Sequence, residues 1–194
     1  MAKKLCTDRN EDPDSIESLV GCRLIPLSKD PGVRPIGISE VLRRIIGKVV
    51  TNIIKEDIVM SAGNLQLCGG QRSSAEIAIR AATELFEDDA SHGILQIDAN
   101  NAFNSLNRKV ALHNLRILCQ ELAIFTNNCY VAPARLFIWG GQSSRRKGKT
   151  QGDPTAMAMY AISILPLLDT RSKAKKISFA DDFSGVGTIQ HLRE

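Results

Sequence analysis

Two short apolar runs, Arg23-Leu24-Ile25-Pro26-Leu27 and Arg34-Pro35-Ile36-Gly37-Ile38, flank the polar stretch Lys29-Asp30-Pro31-Gly32. Pro presets φ and Gly accepts positive φ, so the pattern predicts two strands joined by a turn. From Ser39 the period lengthens. Val41, Ile45 and Val49, with Leu42, Ile46 and Val50 alongside, predict a helix capped by Ser39. Ser73 and Glu76 form a capping box ahead of the stripe Ala78, Ala82, Leu85 and Phe86. Gly93-Ile94-Leu95-Gln96-Ile97-Asp98 predicts a short buried strand, and Asn107 caps a helix carrying Ala111, Leu112, Leu115, Leu118 and Leu122. Asp153 before Pro154 predicts another helix start, with Met157, Tyr160, Ile164 and Leu168 inward and Pro166 kinking or tightening its last turn. Ile177-Ser178-Phe179 and Phe183-Ser184-Gly185-Val186-Gly187 predict two strands about a tight turn. The order after residue 70 is helix, strand, helix, helix, strand, strand, which predicts an α+β fold with helices covering one face of an antiparallel sheet.

Residues 1–22 mix charges of both signs with few large apolar side chains and read as a polar, poorly packed lead-in. The 194 residues are 43% hydrophobic and 24% charged, a globular composition long enough to bury a core. The net charge of +4 is compatible with a polyanion partner but too small to establish one. Five cysteines without a CxxC pair point to reduced thiols in an intracellular protein. No apolar run approaches the roughly 20 residues of a membrane span, and the start lacks a secretory signal. His92, His113 and His191 are scattered, which argues against a zinc site or a Cys/His nucleophile.

Three carboxylates remain at strand ends or turns: Asp98 after one apolar strand, Asp181 and Asp182 after another. Taken singly, each is most simply a turn former. Together they suit a hard divalent cation, since Mg²⁺ is held by one or two carboxylates plus waters and phosphate oxygens. Two such ions about 3.5–4 Å apart can hold the attacking and leaving oxygens of a nucleotidyl transfer.

The ordered set of motifs resembles the reverse transcriptases. Asp98-Ala99-Asn100-Asn101-Ala102-Phe103 is similar to the first palm motif of that family, Gln151-Gly152-Asp153-Pro154 to the second, and Phe179-Ala180-Asp181-Asp182 to the third. Upstream, Leu24-Ile25-Pro26-Leu27-Ser28-Lys29 with Gly32, Arg34-Pro35-Ile36 and Val41 to Lys48 resembles the fingers segment of enzymes encoded by mobile elements, closer to non-long-terminal-repeat retrotransposons and group II introns than to retroviruses. Thr155-Ala156-Met157 replaces the Leu-Ser-Pro frequent after this motif, and Asn104 stands where many relatives have Asp.

The resemblance implies a lead-in over 1–22, a fingers-like region over 23–92 and a palm over 93–194. The palm would be a ferredoxin-like antiparallel sheet with helices on one face, truncated and without a thumb. It implies an RNA-directed DNA polymerase using an RNA template, a DNA primer, deoxynucleoside triphosphates and two Mg²⁺ ions, with Mn²⁺ as a substitute. Asp98, Asp181 and Asp182 would be catalytic and metal-binding, with the Ala99 carbonyl as a further ligand. Lys29, Arg34, Ala99, Phe103, Gln151 and Gly152 would contact the nucleotide, Phe103 lying beneath the sugar and leaving no room for a 2′-hydroxyl. The basic run Arg145, Arg146, Lys147 and Lys149 would touch nucleic-acid phosphate. Two other readings stay open: an inactive or domesticated fragment that binds nucleic acid or a protein partner, and an RNA-dependent RNA polymerase.

Overall fold

Small clusters of apolar residues among charges suffice to dock a chain terminus when a neighbouring helix offers a polar anchor. In this computed structural model, which describes residues 2–10, 12–87, 93–145, 147–150, 152–169 and 172–193, the start of the chain is docked in this way. Helix α1 (Ala2–Thr7), a 3-10 turn (Pro13–Ile16) and α2 (Glu17–Val20) bury Leu5, Ile16, Leu19 and Val20 in the main core. The Asn128 amide donates to the carbonyls of Leu5 and Asp8, each at 2.9 Å, and its oxygen accepts from Asn10 N–H at 2.9 Å. The expectation of a poorly packed lead-in is therefore corrected.

The Pro-Gly turn joins β1 (Cys22–Ser28) to β2 (Val33–Ser39), paired antiparallel from Cys22↔Ser39 to Ser28↔Val33. Helices α3 (Val41–Ile53) and α4 (Lys55–Ala62) follow. Glu40, not Ser39, stands at the α3 N-cap, because Ser39 is still the last residue of β2. The inward face is also rotated from the expected one. Arg43, Ile46, Gly47 and Val50 are buried, whereas Val41, Ile45 and Val49 are more than half exposed.

After α5 (Ser74–Glu87) come β3 (Gly93–Asp98), the single turn α6 (Ala102–Ser105), α7 (Arg108–Leu118) and α8 (Gln120–Tyr130). Asn107 caps α7 as expected, its side chain accepting from the N–H groups of Lys109 and Val110. The apolar period continues into Leu122, but Cys119 at φ −152 breaks the helix in two. The hairpin β4 (Ala134–Ile138) and β5 (Gly141–Arg145) was not anticipated as a unit, and β4 pairs in parallel with β1 at Cys22↔Leu136. One mixed sheet thus runs β2-β1-β4-β5.

Helix α9 (Ala156–Leu168), β6 (Lys175–Phe179), β7 (Asp182–Gly187) and α10 (Ile189–Arg193) complete the described chain. Strands β3, β7 and β6 form a separate antiparallel sheet in the order β3-β7-β6. The α+β, palm-like class stands, and helices meet this sheet on both faces. Ala78, Ala82 and Phe86 of α5 share a cavity wall with Ile94, Gln96 and Ile177, while Tyr160 and Ile164 of α9 and Leu192 of α10 share one with Leu95, Phe183 and Gly185. The main core lies between the helices, with α7, α8 and α9 supplying Leu112, Leu115, Leu122, Phe125, Met159 and Ile162. Among the described residues no helix is long and apolar enough to cross a membrane.

Candidate active site

Antiparallel register decides which side chains share a face, and here it pairs the Cα atoms of Asp98 and Asp182 across β3 and β7. Asp181 occupies the turn between β6 and β7, and its carbonyl accepts from Ala99 N–H at 3.2 Å. The three carboxylates expected to act together therefore arise from adjacent strand ends, although 83 positions separate Asp98 from Asp181. Slight desolvation, together with the charges of Asp181 and Asp98, raises the Asp182 carboxyl above its ordinary range. Their mutual repulsion is what a cation would relieve.

The β1–β2 hairpin bends over this end of the sheet. A cavity of about 470 Å³ is lined by Lys29 and Arg34 from the hairpin and by Asp98, Ala99, Phe103 and Asp181 from the palm-like part. Two cations thus share one cavity with two carboxylates. Phe103 is half-buried and stacks on Tyr160, with ring centroids 4.7 Å apart and planes inclined by 25°. Burial pushes the Tyr160 phenol up to about 12, and the charge of Asp181 adds to the shift. The stack holds the Phe103 ring against α9 at the wall of the cavity.

Hard oxygen donors at the cavity suit Mg²⁺ or Mn²⁺, and the pair Asp98 and Asp181 satisfies the one-or-two-carboxylate requirement of such ions. Among the described residues no three acidic, histidine or cysteine side chains converge closely enough to hold a metal by themselves. Of the expected set, Asp98, Ala99 and Asp181 line this cavity, while Asp182 lines the neighbouring cavity beneath α5.

No protein-family profile and no curated protein matches the chain. Solved structures do. Apo telomerase from Candida tropicalis, truncated of its C-terminal domain, superposes with a TM-score of 0.61 at 13% identity over 95% of this chain and 46% of that one. The likeness shows a shared fold. Telomerase from Candida albicans, in complex with the TWJ fragment of telomeric RNA, superposes with a TM-score of 0.59 at 13% identity over 89% of this chain and 38% of that one. The chain spans less than half the length of these telomerase chains.

Within this fold the remaining expected site residues divide. Gln151 and Arg146 lie outside the described residues, as does the side chain of Arg145. Gly152 is exposed at φ 101 next to the Gly37 carbonyl of β2, but it does not line the cavity of Lys29 and Asp98. Lys147 is exposed. Lys149 contradicts its expected phosphate contact, because it is fully buried and its ammonium group points into the core. Its Nζ donates to the carbonyls of Thr155, at 3.2 Å, and Ala156. Burial holds its pKa well below the ordinary lysine value, which favours the neutral amine.

Lys149 belongs to a buried polar cluster that sequence reasoning missed. Asp153 Oδ2 accepts from Arg43 Nη2 at 2.5 Å and from the Tyr130 hydroxyl at 2.9 Å, and the Arg43 guanidinium lies 4.8 Å from the centre of the Tyr130 ring. Burial pushes the Asp153 carboxyl up, but Arg43 and the bonds from Thr155 outweigh it and hold the group below its ordinary value. Asp153 Oδ1 accepts from Thr155 N–H and Oγ1, at 2.8 and 2.7 Å. Asp153 is thus committed to tying α3, α8 and α9 together, and α9 begins two residues later than expected, at Ala156 with Thr155 as its cap.

The segment before Asp153 also locates Phe103. Lys149 N–H donates to the Phe103 carbonyl at 2.7 Å, Gly148 N–H donates to that of Leu106 at 2.8 Å, and Arg108 Nε donates to the Gly148 carbonyl at 2.7 Å. One signal for this cluster was present in the sequence: Arg43 shares the helical spacing of Ile46, Gly47 and Val50.

Proposed function

We propose that this chain is the fingers and palm portion of an RNA-directed DNA polymerase that adds deoxynucleotides to a primer 3′-hydroxyl. The observation that carries the reading is the cavity in which Lys29 and Arg34 face Asp98, Asp181 and Phe103. A triphosphate carries several negative charges, and two cations from the hairpin bind and orient it through charge-assisted hydrogen bonds. Two carboxylates opposite a polyanion are repulsive unless a divalent cation intervenes, so the pairing of acids with bases in one cavity suits a metal–nucleotide complex. A cation bound at Asp98 and Asp181 would neutralise phosphate charge and lower the pKa of the primer hydroxyl. Phe103 closes the floor beneath the sugar and excludes a 2′-hydroxyl by volume, which favours DNA over RNA synthesis. The likeness to a telomerase in complex with a fragment of telomeric RNA supports an RNA partner.

Mn²⁺ titration of the 194-residue chain tests the proposal. Asp181→Asn removes both a ligand and a local charge, so its Mn²⁺ affinity should fall sharply from the wild-type value; equal affinity in the two would refute the assignment. Primer extension on an RNA template then separates the polymerase from its rivals. Extension with ribonucleotides alone would favour an RNA polymerase, and RNA binding without extension a binding module.

A further inference from the structure

The residue that precedes Asp181 has a backbone conformation that needs support. Ala180 is buried and stands at φ 54, in the left-handed region that side chains other than Gly avoid. Its N–H and C=O are both engaged by one side chain from a distant part of the chain. Gln66 Oε1 accepts from Ala180 N–H at 2.9 Å, and Gln66 Nε2 donates to the Ala180 carbonyl at 3.1 Å and to Ser178 Oγ at 3.0 Å. Ser178 Oγ in turn donates to the carbonyl of Asp182 at 3.0 Å.

Gln66 itself is fully buried and held by a short parallel bridge beside β6, in which Leu67 N–H donates to Ser178 O and Ser178 N–H to Leu65 O, each at 2.9 Å. An amide offers a donor and an acceptor side by side, so it can complete both backbone groups of a single residue. Without it, two buried backbone groups lose their partners and the left-handed conformation loses its restraint. A rotation at Ala180 re-aims the next side chain, Asp181.

We infer that Gln66 is a positioning residue that holds the β6–β7 turn so that Asp181 faces Asp98 across the nucleotide cavity. Gln66 does not line that cavity and touches no reacting group; it acts through Ala180 and Ser178. The inference rests on the polymerase reading, because it assigns Gln66 a role in aiming a metal ligand.

The test compares wild type, Gln66→Leu, Gln66→Glu, and Gln66→Leu combined with Ala180→Gly, all in the 194-residue chain. Mn²⁺ affinity is read by titration and amide hydrogen exchange at Ala180 by NMR. Gln66→Leu should weaken Mn²⁺ binding by about 10- to 100-fold, as loss of outer-shell partners does, and deprotect the Ala180 amide. Gln66→Glu, read at a pH high enough to ionise its buried carboxyl, keeps the acceptor for Ala180 N–H but removes the donor to its carbonyl, so Ala180 should stay protected while Mn²⁺ binding still falls. Ala180→Gly should restore part of the affinity lost in Gln66→Leu, because Gly adopts positive φ without steric cost. A role confined to packing would not be mended by removing a further methyl group.

Should Gln66→Leu lose its cooperative melting transition, Gln66→Glu carries the comparison alone. A folded Gln66→Leu with wild-type Mn²⁺ affinity, or the absence of any rescue by Ala180→Gly, overturns the inference while leaving the polymerase reading intact. A wild-type chain that does not bind Mn²⁺ overturns that reading and the role of Gln66 with it.

Discussion

Replacing Asp153 with Asn should show how strongly the buried cluster holds the fold. The substitution keeps the volume and an oxygen able to accept from Thr155, but it removes the negative charge opposite Arg43. Both side chains of that pair are 1% exposed, so neither water nor salt replaces the lost partner. Arg43 Nη1 retains the Val20 carbonyl at 3.2 Å, while Arg43 Nε is buried and already lacks a hydrogen-bond partner. Breaking a buried ion pair by removing one member typically costs about 3–5 kcal/mol, because an uncompensated charge stays in the interior.

Against a total of about 5–15 kcal/mol for a domain, such a loss moves the urea midpoint substantially without changing the slope. The pH dependence carries a sign. Asp153 is held below its ordinary value, so its contribution is complete above the unfolded carboxylate pKa near about 4 and is lost as pH falls through the folded value. The gap between wild type and Asp153→Asn should therefore narrow in acid. Adding Arg43→Met to Asp153→Asn should recover much of the loss, since no charge is then stranded. A loss under about 1 kcal/mol for Asp153→Asn, or no recovery in the double variant, would refute the buried-pair argument.

Three further outcomes follow from the same geometry. Phe103→Val should raise ribonucleotide relative to deoxynucleotide incorporation in primer extension while leaving Mn²⁺ affinity unchanged; a folded variant with unaltered selectivity would remove the sugar-gate role. Gly148→Ala places a Cβ 2.2 Å from the Asn104 carbonyl oxygen at a φ of +66, so it should destabilise by about 2–3 kcal/mol or more. Differential scanning calorimetry checks this, and a melting temperature within a degree of wild type would contradict the close approach. Lys149→Met should flatten a rise in stability with pH, because burial makes the folded chain hold this proton less tightly than the unfolded chain does, up to the free lysine pKa of about 10.4. It should also leave the salt dependence of RNA binding untouched, and a changed salt slope would return Lys149 to the phosphate contacts.

Features set by neighbours along the chain were legible before any fold was known. The Pro31-Gly32 turn, the Asn107 cap and the aspartates closing two apolar strands each depend on hydrogen bonds or steric limits within a few residues, and each stands where expected. The motif order carried the expectation that Asp98 and Asp181 meet, and the β3–β7 register provides the physical means. The capping signal at Asp153 was also read locally: its Oδ1 accepts from Thr155 N–H although the helix starts only at Ala156, while its Oδ2 goes to Arg43, 110 positions away.

Burial of charge was decided only in three dimensions. Lys147 and Lys149 are two positions apart in one basic run, yet one is exposed and the other fully enclosed, since the core reached by Lys149 is assembled from α8 and the start of α9. The same holds for Leu5, which has an apolar refuge only because α8 passes beside it, and for β4, whose parallel pairing to β1 joins residues more than 110 positions apart. Gln66 is the extreme case, as no local pattern marks it. Its importance comes from the two backbone groups of Ala180, 114 residues further on, that only the folded chain presents to it.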